Sequence, residues 1–173
     1  VNSTISLKDI FGIIFPFLLL ILFIKSFISS FFLFYPGDIT FAFVITILTF
    51  KDSGILLYSL LALLGLLEGF DFLENEILVA VYFISLGIIW RYLRKYFSFE
   101  RLETKMFIWF LSIISFLIFR YIVFFSKLNV SINWLILLNL AVKSFYYICT
   151  TYIWTLVFNK ILAEFFTKKH EKF

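Results

Sequence analysis

The apolar residues of this chain arrive in long runs, and charged or turn-forming residues sit mostly between the runs. Six runs can be read: 10–33, 39–50, 55–70, 77–92, 106–125 and 132–158. None alternates strictly with period two over about ten residues, as the strands of a membrane β-barrel do. Runs of this kind specify helices that are apolar over most of their circumference, and such helices need lipid or other helices around them. The load is heavy: 63% of the 173 residues are hydrophobic, with 27 phenylalanines. Charged residues make up 15%, against about 25% in an average soluble domain. A water-soluble globule of this length buries roughly 70% of the surface its unfolded chain exposes, so composition excludes an ordinary cytosolic or secreted domain. It also excludes a disordered chain, which needs low hydrophobicity and high net charge. The expectation is an all-α polytopic membrane protein: one domain over 1–173, about six transmembrane helices in one compact bundle, and short cytoplasmic tails.

The runs differ in how well they suit a crossing of about 20 residues. Pro16 and Lys25 interrupt the first, and "YPGD" at 35–38 reads as the turn after it. The second, Ile39–Phe50, rises only about 18 Å as a helix against a hydrocarbon core of about 30 Å, so it is the weakest span. It could cross with tilt, cross poorly or be re-entrant. The net charge of +4 speaks to topology before nucleic acid. With six spans and the amino end inside, Lys8, Lys51, Arg91, Arg94, Lys95, Arg101, Lys105, Lys160, Lys168, Lys169 and Lys172 all fall inside. The loop carrying Asp71, Glu74 and Glu76 has no base and fits the outside. The positive-inside rule then predicts both termini in the cytoplasm. No small-residue cleavage site follows the first run, so a secretory peptide is not expected.

Several residues stand out against the apolar background. Lys143 lies near the middle of the last run, where a lysine is costly unless paired or hydrated. Asn139 and Tyr147 lie one turn to either side and share its face. This trio is either a polar seam for a ligand or another helix, or a structural lysine that pairs or snorkels. Lys25 and Arg120 fall toward the outer ends of their runs. They can snorkel to headgroups or pair with the outer carboxylates Glu68, Asp71, Glu74 and Glu76. Gly65 and Gly69 form a G-x-x-x-G that lets helices approach closely, within the bundle or between copies. Glu68, between them, is the best candidate for a buried carboxylate. "WRYLRKYFSFERLETK" at 90–105, with Arg91 and Arg94, is basic and aromatic: an interface anchor, or a surface for anionic lipid or a partner.

Catalytic and metal chemistry find little to work with. Cys149 is the single cysteine, in apolar sequence, and reads as a small buried hydrophobe. The single histidine, His170, sits in a charged tail. No nucleophile constellation is visible in the runs. No catalytic, cofactor-binding or metal site is expected, and no enzyme activity.

The order of the segments resembles MreD, the small membrane subunit of the bacterial rod-shape and cell-wall elongation machinery. The likeness covers about 11–165. It runs through a hydrophobic first span, "YPGDITFAFVITILTF", and then "GILLYSLLALLGLLEGFDFLENEILVAVYFISLGIIWRYLRKYF". There a glycine-bearing helix with Gly65, Glu68 and Gly69 leads through Asp71 to a helix with Gly87 and a basic exit at Arg91, Arg94 and Lys95. The closing "LNLAVKSFYYICTTYIWTLVFNKI", with Asn139, resembles the family's last helix. The chain departs from the family in having no Gly or Pro after Asp71, and in carrying Lys143 where a proline is usual. The resemblance implies a non-enzymatic scaffold in the bacterial inner membrane. It would bind an MreC-like single-span protein and support the peptidoglycan synthase complex and its actin-like filament in cell-shape maintenance. The contact surface expected is a lipid-facing helix stripe plus the outer turn at Asp71, Glu74 and Glu76. Membrane lipids are expected partners and nucleic acid is not. The rival class is the substrate-binding S component of an energy-coupling vitamin or micronutrient transporter, although the small-residue coupling pattern of that class is missing.

Overall fold

The computed structural model describes residues 3–4, 7–31, 38–52, 54–71, 76–97, 99, 101–127 and 134–168. The first helical rod has three parts that run on from one another: α1 (Leu7–Asp9), a π-helical stretch Ile10–Ile14 and α2 (Phe15–Phe31). Pro16 lies just beyond the π-helical stretch inside this rod, and a local π turn is one way a helix accommodates a proline. Then follow α3 (Ile39–Phe50), α4 (Ile55–Asp71), α5 (Glu76–Tyr96), α6 (Leu102–Lys127) and α7 (Trp134–Lys168). Two short strands, β1 (Ser3–Thr4) and β2 (Lys51–Asp52), pair in parallel beside the far end of α3. Among the described residues the architecture is an all-α bundle of six rods with this small bridge.

The bundle is built around α3. Every residue of α3 from Ile39 to Thr49 is buried, and α2, α4, α5, α6 and α7 all touch it. An apolar helix with no polar stripe is one enclosed on all sides. Phe41 points to one flank and stacks on Phe116 of α6 at 4.1 Å between ring centroids. Phe43 points to the other, 5.9 Å from both Phe17 of α2 and Phe158 of α7. Ring pairs at such separations add to the burial of the side chains themselves.

Helices α4 and α5 form a tight antiparallel pair. A Cβ on Gly65 would lie 2.5 Å from the Ala80 Cα, and one on Gly69 would lie 2.5 Å from the Glu76 Cα. The two glycines therefore serve this hairpin, where only hydrogen permits the backbones to meet. Helix α6 runs back along α5: the Tyr82 hydroxyl donates to Ser115 at 2.9 Å and Trp90 Nε1 to Ser112 at 3.4 Å.

The expectation of six crossings is corrected by the helix lengths. Among the described residues two helices, Glu76–Tyr96 and Leu102–Val123, are long and apolar enough to cross a membrane. Ile10–Lys25, Ile39–Phe50 and Ile55–Gly69 are shorter apolar helices. Helix α7 is longer than either, but it is not one of the candidate spans among the described residues. The assignment to a multi-pass inner-membrane topology with both termini cytoplasmic falls with the six crossings, because the charge parity counted every run as one. The physical reason is plainest at α3, whose apolar residues are consumed by neighbouring helices and not by lipid. Cys149, expected to be buried, is exposed on α7.

Candidate functional site

At the N-terminal end of α3 four charged side chains, from three helices and the residue that precedes α3, are enclosed in the bundle. Asp38 is fully buried and precedes the first residue of the helix. Its carbonyl accepts the Ala42 N–H at 3.0 Å, the first turn of α3, and its Oδ1 accepts the Phe41 N–H at 2.7 Å. It is thus the N-cap, satisfying a donor that no helix carbonyl reaches, and its charge complements the helix dipole. The other oxygen, Oδ2, faces α6 and α7: it accepts the Tyr147 hydroxyl at 3.2 Å and lies 3.5 Å from an Arg120 nitrogen. The Asp38 N–H donates to Thr151 Oγ1 at 3.0 Å. The Arg120 guanidinium lies 5.8 Å from the Phe116 ring centroid and 5.9 Å from that of Tyr147, within cation–π range of both.

The second pair joins α2 to α4. Lys25 Nζ donates to Glu68 Oε2 at 2.8 Å, with Glu68 only 1% exposed. The other Glu68 oxygen, Oε1, is buried and has no hydrogen-bond partner among the described residues. It borders a cavity of about 10 Å³ lined by Thr40, Phe43, Leu64 and Leu18, room for about one water. Two buried acids here face two bases that are each 13% exposed, so the formal charge of this cluster is balanced. That balance lets charges persist in an apolar bundle.

The far end of α3 is closed in the complementary sense. Arg94 of α5 donates to the Leu48 carbonyl, one of the last acceptors of the helix, and its guanidinium lies 5.8 Å from the Phe99 ring. Trp109 Nε1 donates to Thr49 Oγ1 at 2.9 Å. A short buried helix leaves unsatisfied N–H and C=O groups at its two ends, and here the side chains of Asp38, Thr151 of α7 and Arg94 of α5 meet some of them.

Of the residues singled out in the sequence, Glu68, Arg120 and Tyr147 come together near α3, and Arg94 stands at its other end. Gly65, Gly69 and the half-buried Glu76 belong to the α4–α5 seam. Asp71 closes α4, but its side chain and the whole of Glu74 lie outside the described residues, as does His170. Arg91, Asn139 and Lys143 are exposed, so Lys143 does not share the environment of Tyr147. Asp38 was missed, having been read only as the end of a turn. The available signal was an aspartate immediately before an apolar helix, the N-cap position. Among the described residues, no group of three His, Cys, Asp or Glu side chains could hold a metal ion.

The geometry defines a class: a helical bundle clamped around one buried helix by internal ion pairs. Searches across protein-family models, characterised proteins and solved structures find no match for this chain.

Proposed function

We propose that this chain is a membrane-associated, non-enzymatic scaffold that binds another membrane protein through the outer face of α7. The resemblance to MreD makes the partner an MreC-like single-span protein, and the role support of cell shape and peptidoglycan synthesis. The observation that carries the reading is the composition of that face. Leu138, Val142, Phe145, Cys149, Ile153 and Leu156 recur at helical spacing and are exposed, while Tyr147, Thr151, Phe158 and Leu162 of the same helix are buried. An exposed apolar stripe of this length marks a surface that meets lipid or protein. Asn139 and Lys143 stand exposed beside it. Against acyl chains a central lysine costs about 2.5–3.5 kcal/mol, which a carboxylate on a partner helix offsets. Tyr147 and Thr151 hydrogen-bond Asp38 and hold α7 against the N-terminal end of α3, giving the partner a rigid face.

The test is affinity purification in gentle detergent. An MreC-like protein should copurify with the wild-type chain and with Lys160→Ala, a change at another exposed lysine of α7. It should be lost or strongly reduced with Lys143→Glu. Recovery that ignores Lys143→Glu removes the α7 surface from the reading. Recovery of an ATPase pair with a coupling membrane protein replaces the scaffold with the transporter class. The cavity beside Glu68 is too small for a vitamin as it stands, so that outcome would require the bundle to open.

A further inference from the structure

The two helices suited to crossing a membrane are consecutive, and they run antiparallel through the Tyr82–Ser115 and Trp90–Ser112 contacts. The C-terminal end of α5 and the N-terminal end of α6 therefore meet at one level, joined by the short stretch around Phe99. Charge is concentrated there. Between Trp90 and Lys105 the sequence places five Arg and Lys against two Glu. Arg91, Lys95 and Arg101 are exposed and Lys105 is half-buried. Arg94 is engaged with the Leu48 carbonyl and serves the fold.

The aromatic side chains at the same level are exposed too: Tyr92 at 58%, Tyr96 at 80% and Phe97 at 46%, with Leu102 beside them. Lys95 Nζ lies 5.4 Å from the Tyr92 ring centroid. Cations set among tyrosines at the end of an apolar helix are the side-chain chemistry of the headgroup layer. The rings sit at the boundary and the cations reach phosphates. A surface for a soluble anion or for nucleic acid would not need Phe97 and Leu102 turned outward beside its cations.

We propose that the α5–α6 turn is a binding surface for the phosphate headgroups of anionic phospholipids, with Arg91, Lys95 and Arg101 as the phosphate contacts and Tyr92 and Tyr96 as the interfacial rings. It fixes the depth and side at which this hairpin sits in a bilayer. The inference rests on the membrane association read above and is independent of the protein partner.

The experiment uses the full chain reconstituted into vesicles of phosphatidylcholine alone and into vesicles that also contain phosphatidylglycerol. Flotation measures association, and native mass spectrometry measures which lipid is retained. Three proteins are compared: wild type, Arg91→Gln/Lys95→Gln/Arg101→Gln, and Lys8→Gln/Lys160→Gln, which removes two exposed cations elsewhere. Circular dichroism checks that each is helical. Phosphatidylglycerol should be enriched on the wild type and on the second variant, and the enrichment should fall by at least about fivefold on the first, since each cation near the surface contributes on the order of 1 kcal/mol. Equal retention of the two lipids by wild type, an equal loss in both variants, or displacement of phosphatidylglycerol by millimolar inorganic phosphate overturns the inference. Association with neutral vesicles but no lipid preference sinks this inference alone. Absence from both kinds of vesicle sinks the membrane reading as well.

Discussion

Asp38 and Arg94 close opposite ends of the same buried helix, the carboxylate on the first N–H groups of α3 and the guanidinium on the Leu48 carbonyl near its last turn. Each charge sits at the end of the helix dipole that favours it. The acid is contributed by the chain just before α3 and the base by α5, so capping and packing are one event. Helix α3 is too short to be stable alone in water. Its structure depends on the helices that enclose it and supply its end groups.

Removing the acid should therefore be severe. Asp38→Ala deletes the N-cap and leaves Arg120 without this carboxylate, and breaking a buried pair in this way costs about 3–5 kcal/mol. Asp38→Asn keeps a capping oxygen and should cost less. Adding Arg120→Met to Asp38→Ala should recover part of the loss, because the guanidinium that faced this carboxylate is then removed together with it. Denaturation of the three variants in one detergent checks the order. Equal losses for Asn and Ala would show that the cap hydrogen bond is not what Asp38 contributes.

The Lys25–Glu68 pair should behave in the same way across another interface. Lys25→Met strands the Glu68 carboxylate, 1% exposed, beside a cavity with room for one water. A loss of about 3 kcal/mol is expected. Lys25→Met/Glu68→Met should be closer to wild type than Lys25→Met alone. A double-mutant cycle on thermal midpoints measures the coupling, and additive losses would mean that the 2.8 Å contact carries no net stability.

The glycines can be ranked in advance. Gly65→Ala and Gly69→Ala place a methyl 2.5 Å from a backbone carbon of α5, which cannot yield without moving the helix. Each should destabilise by about 1–3 kcal/mol. At Gly87 the nearest obstacle is the Leu61 Cδ1 at 2.7 Å, the end of a flexible side chain, so Gly87→Ala should cost less. Nothing lies within 4 Å at Gly12, and Gly12→Ala should be neutral or slightly stabilising. If Gly12→Ala is as harmful as Gly65→Ala, close approach is not the reason for the G-x-x-x-G.

What could be read in advance followed from periodicity and residue type. The helical class, the six apolar segments and a buried role for Glu68 are all visible in spacing and composition. The role of α3 was not. An unbroken apolar dodecamer looks the same whether lipid or protein surrounds it, and only length argues for protein. Assigning α3 to the membrane then carried the topology with it. Pairing was half visible: Lys25 was expected to snorkel or to pair with one of four outer carboxylates, and it meets Glu68 across 43 positions, whereas the meeting of Asp38 with Tyr147 across 109 was not foreseen. Nothing local announces that partner. For Lys143 the mid-run position left open a polar seam or a lysine that pairs or snorkels, and only the helix rotation shows that its side chain is exposed.

The two remaining candidate spans make a direct prediction about solvent. In a chain whose native cysteine is removed by Cys149→Ser, single cysteines at Ile88 and Leu111 would occupy exposed positions near the middles of α5 and α6. By fold alone both should react with a thiol reagent, since neither is covered by another helix. By length and apolar content both should sit at bilayer depth. In vesicles, a membrane-impermeant maleimide should therefore label Ile88→Cys and Leu111→Cys at least about tenfold more slowly than Arg101→Cys at the turn, since a hydrocarbon core about 30 Å thick excludes the charged reagent. After denaturation in detergent with urea the three rates should converge. Equal labelling in intact vesicles would mean that the apolar outer faces of α5 and α6 meet water or a loose interface, and the bundle would have to be assigned to a membrane surface or a protein assembly instead of a bilayer crossing.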